Sequence, residues 1–152
     1  ESMDMVRYID RLGDPVLTGA ERPEIAAWAE RVPPKAALLT WPRYPLLGLP
    51  EFATIAALDH YNLRKRKAIG DFVELRANTR RYIDDLLPDL AELDRLIESP
   101  RAVSGALSTD DIRVLPLLRS MATVKGLQFP RKVRDYFETM MHRIGYQPLP
   151  AV

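Results

Sequence analysis

The chain has 152 residues, of which 47% are apolar and 28% are charged, with a formal net charge of +1. This size and balance are typical of one globular domain, and the small charge gives no electrostatic indication of a nucleic-acid or membrane partner. The sequence has no cysteine and only two histidines, His60 and His142, so thiol catalysis, disulfides and a histidine-rich metal site are excluded from it. No apolar run reaches the roughly 20 residues of a membrane span.

Apolar residues recur at helical spacing along nearly the whole chain, and no segment alternates as a half-buried strand would. Pro23 stands at a plausible first position of the second helix. The stripes, in chain order, are Met5, Ile9 and Leu12; Ile25, Trp28, Ala29 and Val32; Phe52, Ile55, Ala56 and Leu63; Leu86, Leu90, Leu93 and Ile97; and Val133, Tyr136, Phe137, Met140, Met141 and Ile144.

Prolines punctuate this pattern. Most of the 13 prolines stand between the stripes, where they separate helices. Four of them fall inside helical patterns, and because proline lacks an N–H and clashes with the preceding turn, each is expected to end or kink its helix. These are Pro33, Pro34, Pro88 and Pro116. Residues 148–152 are predicted to be a loose tail.

The stretch LSTDDIRVLPLL contains the most specific local signal. Ser108 is placed to cap the backbone N–H of Asp111, and the Asp111 carboxylate is placed to reach back to Ser108, as in a capping box. Leu107 and Ile112 occupy the positions of a hydrophobic staple. The residues that follow are apolar on nearly every side, which is typical of a buried helix. The sequence therefore predicts an all-α bundle around a central helix at about residues 108–125.

Two long motifs carry a family resemblance. ESMDMVRYIDRLGDPVLTG opens the chain and LSTDDIRVLPLLRSMATVKGLQFPRKVRDY lies near its end, with weaker echoes in PEFATIAA and GDF. They resemble the glutathione-transferase fold, in which a thioredoxin-like domain precedes a helical domain, and more closely the bacterial glutaredoxin 2 family, which has that architecture. The resemblance implies a bundle like the C-terminal domain of glutathione transferases.

The resemblance also implies a domain organisation. Residues 1–12 would be the last helix of a truncated thioredoxin-like domain, residues 13–22 the interdomain linker, residues 23–147 the helical domain and residues 148–152 the tail. The family's Cys-Pro-Tyr-Cys motif and cis-proline would lie in the missing part. We therefore expect a fragment of a two-domain oxidoreductase, with no catalytic residue, no metal and no bound cofactor of its own, and inactive alone.

Glu1 and Ser2 match the Glu/Gln-Ser pair that holds glutathione in this architecture. The resemblance implies that they bind glutathione in the parent protein only; the structural alternative is a serine at a helix start. The implied partners are the missing thioredoxin-like domain, glutathione and protein–glutathione mixed disulfides. A cytoplasmic monomer is expected.

Two other functions stay open at the level of sequence. The chain could be a helical interaction module, or the C-terminal domain of a glutathione transferase. A Cys-Pro-x-Cys upstream would favour the oxidoreductase, whereas a serine or tyrosine there would favour the transferase. Trp41, Arg43 and Tyr44 stand in a proline-rich connection, where they could line the interdomain cleft or simply pack.

Two further patterns have a plainer interpretation. The basic run Arg64–Lys67 lies near the end of a predicted helix, where positive charge is favoured, and it lacks interleaved aromatic residues. Glu138 and His142 are four residues apart, but two ligands do not make a metal site. We predict solvent-exposed surface for both.

Overall fold

The structure is a computed structural model that describes residues 2–152; Glu1 lies outside the described residues. The helices are α1 (Ser2–Asp10), α2 (Pro23–Thr40), α3 (Ile55–Ile69), α4 (Phe72–Ala77), α5 (Thr79–Leu96), α6 (Thr109–Met121) and α7 (Arg131–Arg143). Within residues 2–152 the only β-pairing is an isolated bridge between Ser99 and Ala102. The all-α prediction is confirmed. None of these helices is long and apolar enough to cross a lipid bilayer.

The core lies between α2, α5, α6 and α7. Helix α2 packs against both α5 and α6, and α7 packs against the same two helices. In these four helices the buried faces follow helical spacing, because the apolar stripe of each helix turns toward its neighbours. Fully buried members include Trp28, Val32, Leu90, Leu118 and Tyr136.

Polar contacts fix α5 against its neighbours. The indole Nε1 of Trp28 donates to the carbonyl oxygen of Asp89 at 2.8 Å. The Asp89 side chain, 5% exposed, accepts hydrogen bonds from Arg31 at 3.2 Å and Lys35 at 2.6 Å. Two cations therefore compensate a carboxylate that burial would otherwise penalise. These contacts set the register of α2 on α5.

Helix α7 is capped from another helix. Its N-cap residue is Pro130, which makes no side-chain cap hydrogen bond. Asp94 of α5 does this instead: its Oδ1 accepts from the backbone N–H groups of Lys132 at 2.7 Å and Val133 at 3.2 Å. The first turn of α7 is thus satisfied by a tertiary contact.

The prolines inside helices do not end them. Helix α2 continues through Pro33 and Pro34, α5 through Pro88 and α6 through Pro116. The prediction that these prolines could end their helices is therefore wrong. Each proline removes one backbone hydrogen bond, at a cost of roughly 3 kcal/mol, but these helices bury a face against two neighbours and packing supplies most helix stability.

Carboxylates organise the start of α6. Ser108 Oγ accepts from the Asp110 N–H at 3.2 Å, and Asp111 Oδ2 accepts from the Ser108 N–H at 3.0 Å, which forms a capping box. Asp111 Oδ1 also accepts from the Val103 N–H at 2.8 Å and the Tyr136 hydroxyl at 2.9 Å. Burial, with Asp111 beside it, raises the pKa of Tyr136. The cap thereby joins α6 to α7 and to the loop before α6.

The segment before α2 is hydrogen-bonded to the start of α6 and to the loop before it. Asp110 Oδ2 accepts from the Arg22 N–H at 3.0 Å, and the Gly19 N–H donates to the Leu107 carbonyl at 2.7 Å. A Cβ at Gly19 would lie 2.2 Å from the carbonyl oxygen of Ala106. Only glycine permits this close approach between the two segments.

The central helix is shorter and less enclosed than the sequence predicts. It ends at Met121 instead of near 125, and turn hydrogen bonds such as that from the Val124 N–H to the Met121 carbonyl follow it. Val124 is still buried, at 2% exposure. Leu107 packs against the core, whereas Ile112 is 38% exposed. The proposed staple between these two stays a prediction.

Two peripheral segments differ from expectation. Helix α3 forms, but Ile55 and Leu63 are 79% and 77% exposed, because α3 packs mainly against the turn Pro50–Phe52 rather than against the core helices. The tail, expected to be loose, is anchored at Val152. Its N–H donates to the Thr123 carbonyl at 2.9 Å, and its carbonyl oxygen accepts from Arg43 Nε at 2.9 Å.

We predict that Ser108→Ala lowers the free energy of unfolding by about 1 kcal/mol and at most about 2, because the helix start it caps is buried. The melting temperature, followed by circular dichroism, should fall by roughly 2–8 °C. Thr54→Ala is the matched control, since Thr54 caps α3, which has no buried residue. An equal loss in both variants would contradict the central role of α6.

Candidate functional site

The start of α1 is exposed. Ser2 is the first residue of the helix and is exposed, with Asp4 in the same turn. Glu1, the other residue of the proposed glutathione pair, lies outside the described residues. The first N–H groups of a helix have no partner within it and favour anions. Ser2 is therefore at a helix end that suits a carboxylate.

An ion pair holds α1 to the segment before α2. Arg7 Nη2 donates to both Glu21 carboxylate oxygens, at 2.7 and 2.9 Å, and its Nη1 donates to Asp4 at 3.0 Å. The hydrogen bonds from Arg7 hold the pKa of Glu21 below its ordinary value. Asp10 Oδ1 accepts from the Val16 N–H at 2.9 Å and closes the turn after the helix.

The outer face of α1 and the turn after it is apolar and open. No residue of α1 is buried. Exposure is between 59% and 69% for five large apolar side chains: Met5, Tyr8, Ile9, Leu12 and Val16. Exposed apolar patches are typical of contact surfaces and of ligand-binding grooves. We call these five residues the α1 face.

A shallow groove lies between α2 and α6. It encloses about 400 Å³ and is lined by Ala26, Ala29, Glu30, Pro33, Arg113, Pro116 and Leu117. Small residues and prolines along it leave the two helix backbones accessible. Arg113 lies 3.8 Å from Glu21, the carboxylate that binds Arg7, so this α2–α6 groove adjoins α1. Glu21 thus contacts both Arg7 of α1 and Arg113 of the groove.

The residues after α2 have different roles. Arg43 is 5% exposed and donates to the Leu39 carbonyl at 2.7 Å and to the Thr79 hydroxyl at 2.6 Å, so it is a packing residue. Burial lowers its pKa. Trp41 lies under the ammonium of Lys65, 3.6 Å from the ring centroid. Tyr44 lines a separate cavity.

The other charged candidates are at the surface. His60, Arg64 and Lys67 on α3 are exposed, as are Glu138 and His142 on α7. Among residues 2–152 no group of three or more His, Asp or Glu side chains is arranged to hold a metal ion. The structure brings none of these residues to the α1 face.

Sequence reasoning missed the Arg7–Glu21 pair and the α2–α6 groove. The Arg7–Asp4 contact has a local signal, since these residues are three apart on one helix. Glu21 is 14 residues from Arg7 and has no such signal. Small residues at the groove suggest close helix packing, but they do not indicate which face stays open.

Comparisons with known proteins place the chain in one family. Residues 24–147 match the family model described as glutaredoxin 2, C terminal domain. Glutaredoxin 2 from Escherichia coli K12 is 41% identical over 141 residues, which are 92% of this chain and 66% of that protein, and the protein from E. coli O157:H7 matches equally. The chain thus spans just under two thirds of these relatives. The crystal structure of glutaredoxin 2 from Salmonella typhimurium in complex with glutathione is 39% identical, with a TM-score of 0.91 over 98% of this chain and 69% of that one.

We predict that acidification releases α1 from the segment before α2. Because the pKa of Glu21 is lowered in the folded state, its stabilising effect is complete above the unfolded value near 4.3 and is lost as pH falls through the folded value. The Arg7 Nε–H resonance, followed by NMR from pH 6 to pH 2.5, should change in that lower range. Glu21→Gln should remove the step, and the exposed Glu24→Gln should leave it. A step that survives Glu21→Gln would contradict the assignment.

Proposed function

This chain belongs to the family of glutaredoxin 2 C-terminal domains, and we propose that it is the helical domain of a longer glutathione-dependent thiol–disulfide oxidoreductase. In this proposal the α1 face and the α2–α6 groove form one wall of the cleft against a thioredoxin-like domain. The observation that carries the proposal is the α1 face itself: a helix without any buried residue, whose large apolar side chains point away from the bundle.

The energetics of the α1 face favour a permanent partner. Burying a large apolar side chain completely contributes about 1.5–3 kcal/mol. The five residues of the face are a little under two thirds exposed, so covering them yields on the order of 5 kcal/mol or more before any cost. A partner joined covalently to Ser2 loses little translational freedom on docking, which keeps most of that gain. A preceding domain is therefore the occupant that we propose.

The α2–α6 groove extends the same surface. Another element can approach the backbones of α2 and α6 closely only where the side chains along the groove are small. Ala26, Ala29 and Pro33 are such residues. The ion pairs of Glu21 with Arg7 and Arg113 connect α1 to the groove. Both parts would then contact one rigid neighbour. Residues 1–12 would belong structurally to that neighbour, and residues 13–22 would be the linker.

The proposed ligand of the parent is glutathione, held in part by Glu1 and Ser2. Glutathione carries an ammonium and a carboxylate at its γ-glutamyl end. The Glu1 carboxylate would accept charge-assisted hydrogen bonds from the ammonium. The Ser2 hydroxyl and the free N–H groups of the α1 start would donate to the carboxylate. Ser2 supports this role by its exposed position at the first residue of α1.

The sulfur chemistry would come from the other domain, since this chain has no cysteine. A low-pKa cysteine thiolate there would attack a protein–glutathione mixed disulfide, release the protein thiolate and become disulfide-bonded to glutathione itself. A second glutathione thiolate would then attack that bond, which regenerates the cysteine and yields glutathione disulfide. The helical domain would bind and orient, and would exchange no sulfur.

We predict that the isolated chain reduces no glutathione mixed disulfide in a glutathione-coupled assay. Activity should appear when the thioredoxin-like domain of E. coli glutaredoxin 2, ended before its last helix, is added in trans. Tyr8→Ser and Leu12→Ser should weaken this complementation by at least about tenfold each, because they remove apolar area from the α1 face. Leu63→Ser is the matched control, being 77% exposed on α3.

Three outcomes would count against the proposal. Turnover by the chain alone would refute the inactive-domain assignment. Equal loss with Leu63→Ser would show that the α1 face is not the docking surface. Complementation of a serine-based transferase domain, with no effect on the oxidoreductase domain, would favour the transferase alternative.

We also predict that the isolated chain binds glutathione with a Kd above about 1 mM, since the strand and loop contacts of a complete site are not part of it. Amide shifts of residues 2–12 in labelled protein would report binding. Saturation at micromolar glutathione would show a complete site within this chain and would refute the proposed boundary.

A further inference from the structure

A second cavity shares no lining residue with the α1 face or with the α2–α6 groove. It encloses about 250 Å³ and is lined by Tyr44, Leu49, Glu51, Phe52, Arg119, Ser120 and Leu149. Three segments form it: the turns after α2, the end of α6 and the tail. No role in the proposed oxidoreductase chemistry is assigned to this cavity.

The tail builds one wall of the cavity. Val152 is fixed by its hydrogen bonds to Thr123 and Arg43, and at the other end Tyr146 is fixed by Arg119. Leu149, between these two anchors, lines the cavity. With Leu49 and Phe52 it forms an apolar wall. Anchoring at both ends gives that wall a defined position without a bound ligand.

Arg119 supplies the cation of the cavity. Its partners among residues 2–152 are the hydroxyl of Tyr146, which accepts from Nη2, and the ring of Tyr146, 4.0 Å from the guanidinium carbon. Neither partner carries a negative charge. Its Nε is buried with no hydrogen-bond partner. A guanidinium has five N–H donors, and the hydrogen bond to Tyr146 uses one at Nη2, so this side chain retains donors for a further acceptor.

The two hydroxyl groups of the cavity are already hydrogen-bonded. The Tyr44 hydroxyl donates to Ser120 Oγ at 2.8 Å, and Ser120 Oγ donates to the Pro116 carbonyl at 3.0 Å. Glu51 is exposed, so water screens its charge. The half-buried Arg119 therefore decides the sign of the charge that the cavity prefers.

We propose that this cavity binds a small apolar carboxylate, with the carboxylate on Arg119 and the hydrocarbon against Leu49, Phe52 and Leu149. The apolar wall favours such a ligand over inorganic phosphate, which would leave that wall unused. The volume is below the ~300–1,000 Å³ of sites for drug-sized ligands, so the ligand has a short chain or a single ring. This site does not depend on the proposed preceding domain or on the proposed oxidoreductase function.

Hexanoate is the probe for the test. Titrated into the labelled chain at constant ionic strength, it should shift the amides of the non-proline residues in 44–52 and of residues 119, 120 and 149, with a Kd of about 1 mM, as expected for a ligand of about eight non-hydrogen atoms. Hexylammonium has the same chain and the opposite charge and should not bind. Equal affinity for the two probes would overturn the proposal.

Two variants test the role of Arg119. Arg119→Met keeps much of the aliphatic stem and should weaken hexanoate binding at least about tenfold. Arg95→Met is the matched control on the exposed end of α5 and should leave it unchanged. Glu51→Gln should strengthen binding slightly, since it removes a negative charge. Unchanged binding in Arg119→Met would overturn the proposal.

A measurement on the unaltered protein covers the case in which Arg119→Met fails to fold. Intermolecular nuclear Overhauser effects from the hexanoate methyl group should reach Leu49, Phe52 and Leu149. Such contacts would support the site. Contacts to the α2–α6 groove or to α3 instead would overturn it.

Discussion

Two buried carboxylates at the start of α6, those of Asp110 and Asp111, hold together segments that are far apart in the sequence. Asp111 accepts hydrogen bonds from Ser108, Val103 and Tyr136, and so joins the cap, the preceding loop and α7. Asp110 accepts from Arg22 at the entry to α2. The positive end of α6 favours negative charge there, so the helix helps to stabilise the two side chains that organise its surroundings.

This cluster decides where α1 lies. Arg22 and Gly19 are bound to the α6 start, and Glu21 between them presents its carboxylate to Arg7. The position of α1 thus follows from contacts that begin in the core, although α1 buries none of its own residues. The position of the proposed cleft wall is consequently set by the bundle, although the wall itself adds no buried residue to the core.

Stability is distributed unevenly over the molecule. Helices α2, α5, α6 and α7 share the core, while α1 and α3 have no buried residue. Elements with few buried contacts open first, so α1 and α3 have the lowest local stability in the described chain. The turn after α2 has more such contacts, because Arg43 and the anchored tail connect α2, the start of α5 and residues 123–125 through hydrogen bonds.

The sequence by itself determined the all-α class, the five helical stripes, the positions of Ser108 and Asp111 at a helix start and the family resemblance. These features depend on spacing and on residues a few positions apart, which a sequence displays directly. The tertiary structure alone decided which stripes are buried: Val32 and Leu90 lie in the core, whereas Ile9 and Leu63 do not. It also decided that Asp94 caps α7, that Glu21 binds Arg7, that Arg119 lines a cavity and that helices continue through Pro33 and Pro116. These outcomes depend on which surfaces meet, and a one-dimensional pattern gives a side chain's face on its own helix but not the neighbour that covers it.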